Sequence, residues 1–119
     1  METDDRFLAA VVGFFAGEGA TFEADLIYDE EKANLRDAAA VAGVELERGR
    51  WSTIKGPLLP PIPGAFPART QLVLDVWVDA VERLHLHDDV DELYVNLGED
   101  EVPVFLRRLE LEGFGLERR

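Results

Sequence analysis

No cysteine occurs in the 119-residue chain, which removes a disulfide framework, a thiolate nucleophile and thiolate metal ligation together. A cytoplasmic location is the expectation that fits. No apolar run reaches the ~18 residues of a membrane span. The longest, Phe7 to Ala16, follows Glu2, Asp4 and Asp5, where a signal peptide carries positive charge instead. Serine occurs once, at Ser52, without a glycine elbow or a nearby histidine, so acyl-transfer chemistry is poorly supplied. The "GEG" of residues 17–19 has neither the following lysine nor the preceding strand of a phosphate loop. One Ser, two Asn, one Gln and one Met form a small stock of thermolabile side chains, a thermophile-like composition that a salt-loving source would also explain.

Basic residues are scarce as well. Twelve stand against 25 acids, a net charge of -13, which repels nucleic-acid phosphates and anionic lipid. Neither nucleic acid nor membrane is therefore an expected partner. The segment 48–74 is the exception: it holds Arg48, Arg50, Lys55 and Arg69 and no acid. It is the single electropositive island, between the acidic stretches 18–47 and 75–101.

What is present suits one folded domain, residues 1–119, with 47% hydrophobic residues spread along the length. Leu8, Val11, Val12 and Phe15 recur at helical spacing ahead of Gly17 and Gly19 and predict a helix over Asp4 to Ala16. "ATFEADLIYD" alternates and predicts a strand. "DEEKANLRDAAAVAG" has acids first, alanines in the middle and Gly43 last, which predicts a helix over Glu30 to Ala42. "VELERGRWSTI" is a second alternating run broken near Gly49, and "GPLLPPIPGAFPA" holds too much proline for a regular element. "TQLVLDVWV" reads as a strand buried on both sides, ending at Val78, with a helix through Leu84 after it. "ELYVNL" is a short strand, and "EDEVPVFLRRLELEG" a helix stopped by Gly113. The order β, α, β, loop, β, α, β predicts an α+β protein: a ferredoxin-like split βαβ sheet with additional N-terminal and C-terminal helices. Its second sheet face needs a cover, from the terminal helices or from a second copy packing on residues such as Val73 and Trp77. A homodimer is the expectation.

Three stretches bear on chemistry. "VVGFFAGEG", Val11 to Gly19, resembles the LAGLIDADG motif of homing endonucleases over nine residues. The resemblance implies a packing glycine at Gly13, a divalent-metal carboxylate at Glu18 and a turn at Gly19. It departs from that family where a basic DNA-cradling hairpin belongs, because Glu23, Asp25, Asp29, Glu30 and Glu31 follow. A glycine-terminated core helix with one solvated glutamate is the plain alternative. "HLHDD" holds both histidines. On a strand His85, His87 and Asp89 share a face and make a three-ligand set; on a helix the two histidines diverge by about 200°. The segment is placed at a helix end, where the dipole favours imidazole without any metal.

The third stretch runs from Arg48 to Arg69. Arg48, Arg50, Trp51, Lys55, Leu59, Phe66 and Arg69 combine charge, aromatic surface and a proline-stiffened loop, the composition of a docking segment. The competing reading is a loop folded back as core cover. The expectation is a small acidic, non-enzymatic binding or regulatory domain, homodimeric, without cofactor or metal, docking another protein on residues 48–69. A divalent-metal enzyme with Glu18 at a LAGLIDADG-like helix end is the alternative, and a small-anion sensor at the basic island is a third reading.

Overall fold

The computed structural model describes residues 3–67, 72–88 and 92–114. The first helix, α1 (Thr3–Phe15), buries Leu8, Val11, Val12 and Phe15, the stripe that predicted it. Strand β1 (Ala20–Asp25) follows, with Ala20, Phe22 and Ala24 buried and the residues between them facing away. Helix α2 (Asp29–Ala42) opens on three acids and closes at Gly43. That glycine takes a left-handed φ of 74° so that the amides of Gly43 and Val44 reach the last free carbonyls, Ala40 and Ala39.

A hairpin comes next, β2 (Glu47–Arg48) and β3 (Thr53–Pro57), followed by a 3-10 turn at Ile62–Ala65 inside the proline-rich segment. The chain then forms β4 (Val73–Val78), β5 (Val81–His87), β6 (Leu93–Val95) and α3 (Glu101–Leu111). The six strands make one sheet in the order β2-β3-β1-β4-β5-β6, antiparallel at every step. The protein is α+β.

Several expectations change. The helix placed after Val78 is a strand. Asp79 and Ala80 both take positive φ, 51° and 68°, the backbone of a tight two-residue hairpin turn, and the Asp79 amide donates to Gly19 O at 3.1 Å. Leu72, Val76 and Leu84 mimicked a helical stripe because spacings of four and eight fit a strand face equally well. With a hairpin in place of that helix, the second helical crossover of a split βαβ is gone, and β1 runs antiparallel to both its neighbours. Nor is β4 buried on two sides: Leu74 and Val76 are buried, while Val73, Asp75 and Trp77 on the other face are half exposed.

The proline-rich segment carries the chain from β3 to β4, and its 3-10 turn packs on α1 and α2. Leu58, Ile62 and Phe66 are buried, Phe66 edge-on to Phe22 with ring centroids 5.3 Å apart. The segment is core cover there, and Phe66 is turned away from any partner. The terminal helices do not cover the second face. α1 packs on the 3-10 turn and on α3, and residues of α1, α2, α3 and one face of each of β1, β3, β4 and β5 share one hydrophobic cluster. The opposite face of the sheet stays open among the described residues.

Candidate functional site

Cross-strand register lays out the open face. One row runs Glu47, Lys55, Glu23, Asp75, His85, Tyr94 across all six strands. Residues directly opposite on an antiparallel pair sit about 4.5–5.5 Å apart at Cβ, so each interacts with its neighbours in the row. Lys55 lies 3.9 Å from Glu47, and His85 Nδ1 lies 2.5 Å from Asp75 Oδ1. In a flanking row Trp77 of β4 faces Glu82 of β5.

Glu82 reaches this face through a bulge. In a regular strand residues 82 and 85 point to opposite sides, but the register shifts by one between Val76 and Trp77, and Arg83 becomes the extra residue of β5. Glu82 then turns outward beside His85. One donor atom from each of Asp75, Glu82 and His85 lies within 4.8 Å of the others, a set with the composition to hold a cation. A shallow depression beside it is lined by Glu82, Arg83, His85, Tyr94 and Asn96 among others.

The bulge residue turns the other way. Arg83 donates through Nε to Asn96 O at 2.8 Å, its Nη2 sits 2.5 Å from Glu101 Oε1, and its guanidinium lies 5.2 Å from the centroid of the Phe15 ring. Glu101, the first residue of α3, also accepts from the Gly98 amide at 2.9 Å, in the turn that leads into the helix. The hydrogen bond from Arg83, and then that from Gly98, hold the Glu101 carboxyl below the ordinary glutamate value.

The histidines are therefore on a strand, not at a helix end. Their rings stack, with centroids 6.3 Å apart and planes 9° from parallel. His87 is directed to Glu92 at 3.5 Å and Asp88 at 3.8 Å, and the expected third member, Asp89, lies outside the described residues. The alternation of Leu84 and Leu86 with His85 and His87 was the available signal for this strand. Asp75 and Glu82 had no comparable one, because a bulge leaves no mark in a period-two pattern.

Glu18 is exposed in the turn between α1 and β1 and belongs to no ligand set found among the described residues. Gly13 is half buried, with ordinary contact distances around it. A Cβ there would stand 3.6 Å from Arg108 Nη2 and 4.0 Å from Pro63 Cβ. Gly19 is needed for its backbone and for space: its φ is 84°, and a Cβ would come within 2.5 Å of the Asp79 carboxylate.

The predicted docking residues divide. Arg48, Arg50, Trp51 and Lys55 are exposed on the β2–β3 hairpin, Leu59 is half buried, Phe66 is in the core, and Arg69 lies outside the described residues. At the hairpin tip the Gly49 amide donates to Thr53 O at 2.8 Å, which leaves Arg50, Trp51 and Ser52 as the loop. Trp51 has φ of 57° and is 89% exposed. The Leu26 amide donates to Ser52 O at 3.2 Å, and the Ser52 hydroxyl donates to Asp25, so the tip is tied to the end of β1. The exposed Ile27 and Tyr28 follow directly in the chain. No family model, curated protein or solved structure matches the chain.

Proposed function

We propose that the chain is a small acidic, non-enzymatic binding or regulatory domain, which docks an acidic segment of a partner protein on the tip of the β2–β3 hairpin. The observation that carries the reading is Trp51. A tryptophan that stands almost wholly in solvent, held in the left-handed region that non-glycine residues seldom occupy, is an anchor without a pocket in its own chain. Arg48 and Arg50 beside it are exposed, and no acid lies between residues 48 and 74. An acidic partner segment with one apolar or aromatic side chain complements both features. The chain as a whole, at -13, repels phosphate polymers, so nucleic acid is not the partner proposed. A second copy of the chain is the cover proposed for Val73 and Trp77 on the open face.

Tryptophan fluorescence tests the docking. In a Trp77→Phe background Trp51 is the remaining indole. Titration with a glutamate-rich peptide bearing a single leucine is expected to shift its emission to the blue, and Arg50→Glu is expected to abolish the response. An emission spectrum indifferent to that peptide, or one that responds equally in Arg50→Glu, overturns the reading. A response to inorganic phosphate alone transfers the island to the small-anion class.

A further inference from the structure

We propose that Asp75, Glu82 and His85 form a binding site for one first-row divalent transition ion on the open sheet face. Three independent features of the chain converge there. Asp75 and His85 are direct cross-strand partners on β4 and β5, so backbone pairing fixes their separation rather than side-chain chance. The bulge at Arg83 turns Glu82 out of the alternation and onto the same face. Arg83 lines the adjoining depression, but its guanidinium is bound by Asn96 O, Glu101 and the Phe15 ring, which holds that charge toward the helical layer.

The charge and donor types decide the ligand class. Two carboxylates and a neutral imidazole around a dication sum to zero, whereas without a cation the two carboxylates face each other across a half-exposed surface. Imidazole nitrogen separates Zn2+ and Co2+ from Mg2+ and Ca2+, which favour all-oxygen sets. The 2.5 Å contact between His85 Nδ1 and Asp75 Oδ1 is a hydrogen bond whose proton stands between two groups that a metal would join instead. Such an ion replaces that proton and draws in the exposed Glu82. Three protein ligands leave coordination positions open, and these face the depression lined by Tyr94 and Asn96, where water completes the shell. His87 is engaged with Glu92 and Asp88, so it stays outside the ligand set and flanks it by ring stacking.

Co2+ is the probe, because its visible absorption reports ligation directly. The full chain is expected to bind one Co2+ with absorption bands in the visible, to release it to an equivalent of Zn2+, and to keep it against a large excess of Ca2+. His85→Ala and Glu82→Gln are each expected to lower the affinity at least tenfold. Glu82 is exposed, so its variant keeps the fold even where a histidine variant does not. Glu18→Gln is the comparison substitution and is expected to leave binding unchanged. Binding that is weak, displaced by Ca2+ and insensitive to Glu82→Gln identifies a diffuse counterion cloud and overturns the site. Loss of Co2+ in Glu18→Gln rather than in Glu82→Gln moves the metal to the end of α1 and overturns it equally.

Discussion

Arg83 and Glu101 join the bulge of β5 to the start of α3, with Nη2 and Oε1 2.5 Å apart. The guanidinium also lies over Phe15 of α1, so one side chain ties a strand to two helices. The same residue that makes room for Glu82 on the open face thus fastens the helical layer on the other.

A pH dependence follows from that pair. The folded-state value of Glu101 is depressed by Arg83 and by the Gly98 amide, so ionised Glu101 favours the native state. Its contribution is present above the ordinary glutamate value and is lost as pH falls through the lower folded value. Glu101→Gln is expected to melt below the wild type near neutral pH, and the gap is expected to narrow as pH falls below the ordinary glutamate value. A gap of constant size across that range removes the ion pair from the account.

Ala80→Gly tests the β4–β5 turn. Alanine at φ of 68° sits where a Cβ crowds the following carbonyl, a strain of roughly 1–2 kcal/mol that glycine lacks, less the larger entropy glycine loses on folding. The variant is expected to be more stable by about 0.5–1 kcal/mol in chemical denaturation. A lower midpoint would mean that the turn tolerates Ala80 without strain.

This turn is also where sequence and structure part. α1, β1, α2, β6 and α3 were legible because each obeys one period and ends on its own stop residue, Gly43 and Gly113 among them, whereas the alternating run broken near Gly49 read as one strand and is the two-stranded β2–β3 hairpin. Asp79-Ala80 is not a glycine-bearing turn pair, so nothing local announced that β4 folds back on itself, and the spacings of four and eight between Leu72, Val76 and Leu84 permitted a helix. That single misreading hid the candidate site, since Asp75, Glu82 and His85 meet only across the hairpin. In the segment 48–69 the exposure of Arg48, Arg50, Trp51 and Lys55 was readable from charge and composition. Its buried half was not, because a proline-rich loop looks alike in sequence whether it roofs a core or projects from it.

Phe66→Asp and Leu59→Asp separate those two roles within one segment. Phe66 is 2% exposed against Phe22, so the substitution removes a ring and buries a carboxylate. The loss is expected to exceed the ~3–5 kcal/mol of a Phe truncation, a large part of the ~5–15 kcal/mol that holds a domain together. Leu59 is half buried, and its aspartate variant is expected to retain a cooperative melt with a smaller loss. Phe66→Asp melting within a degree or two of wild type would mean that the loop is not part of the core.

Self-association is expected through the open face, and its salt dependence identifies the surface. Val73 and Trp77 stand there uncovered, with Tyr94 68% exposed at the end of the central row. Glu23, Asp75 and Glu82 share the face, so two copies approaching through it bring acids together with only Lys55 in opposition. Repulsion between such exposed charges is screened over a Debye length of ~10 Å at 0.1 M salt and ~3 Å at 1 M. The dimer fraction measured by light scattering is therefore expected to rise with added sodium chloride, opposite to an interface held by ion pairs. Trp77→Lys, which puts a charge in place of the large apolar side chain in the row flanking the charged one, is expected to give a monomer at every salt concentration. A wild-type monomer in high salt would leave the sheet face as a solvated surface, and a dimer that dissociates with salt would place the contact on the hairpin tip against an acidic region of the second copy.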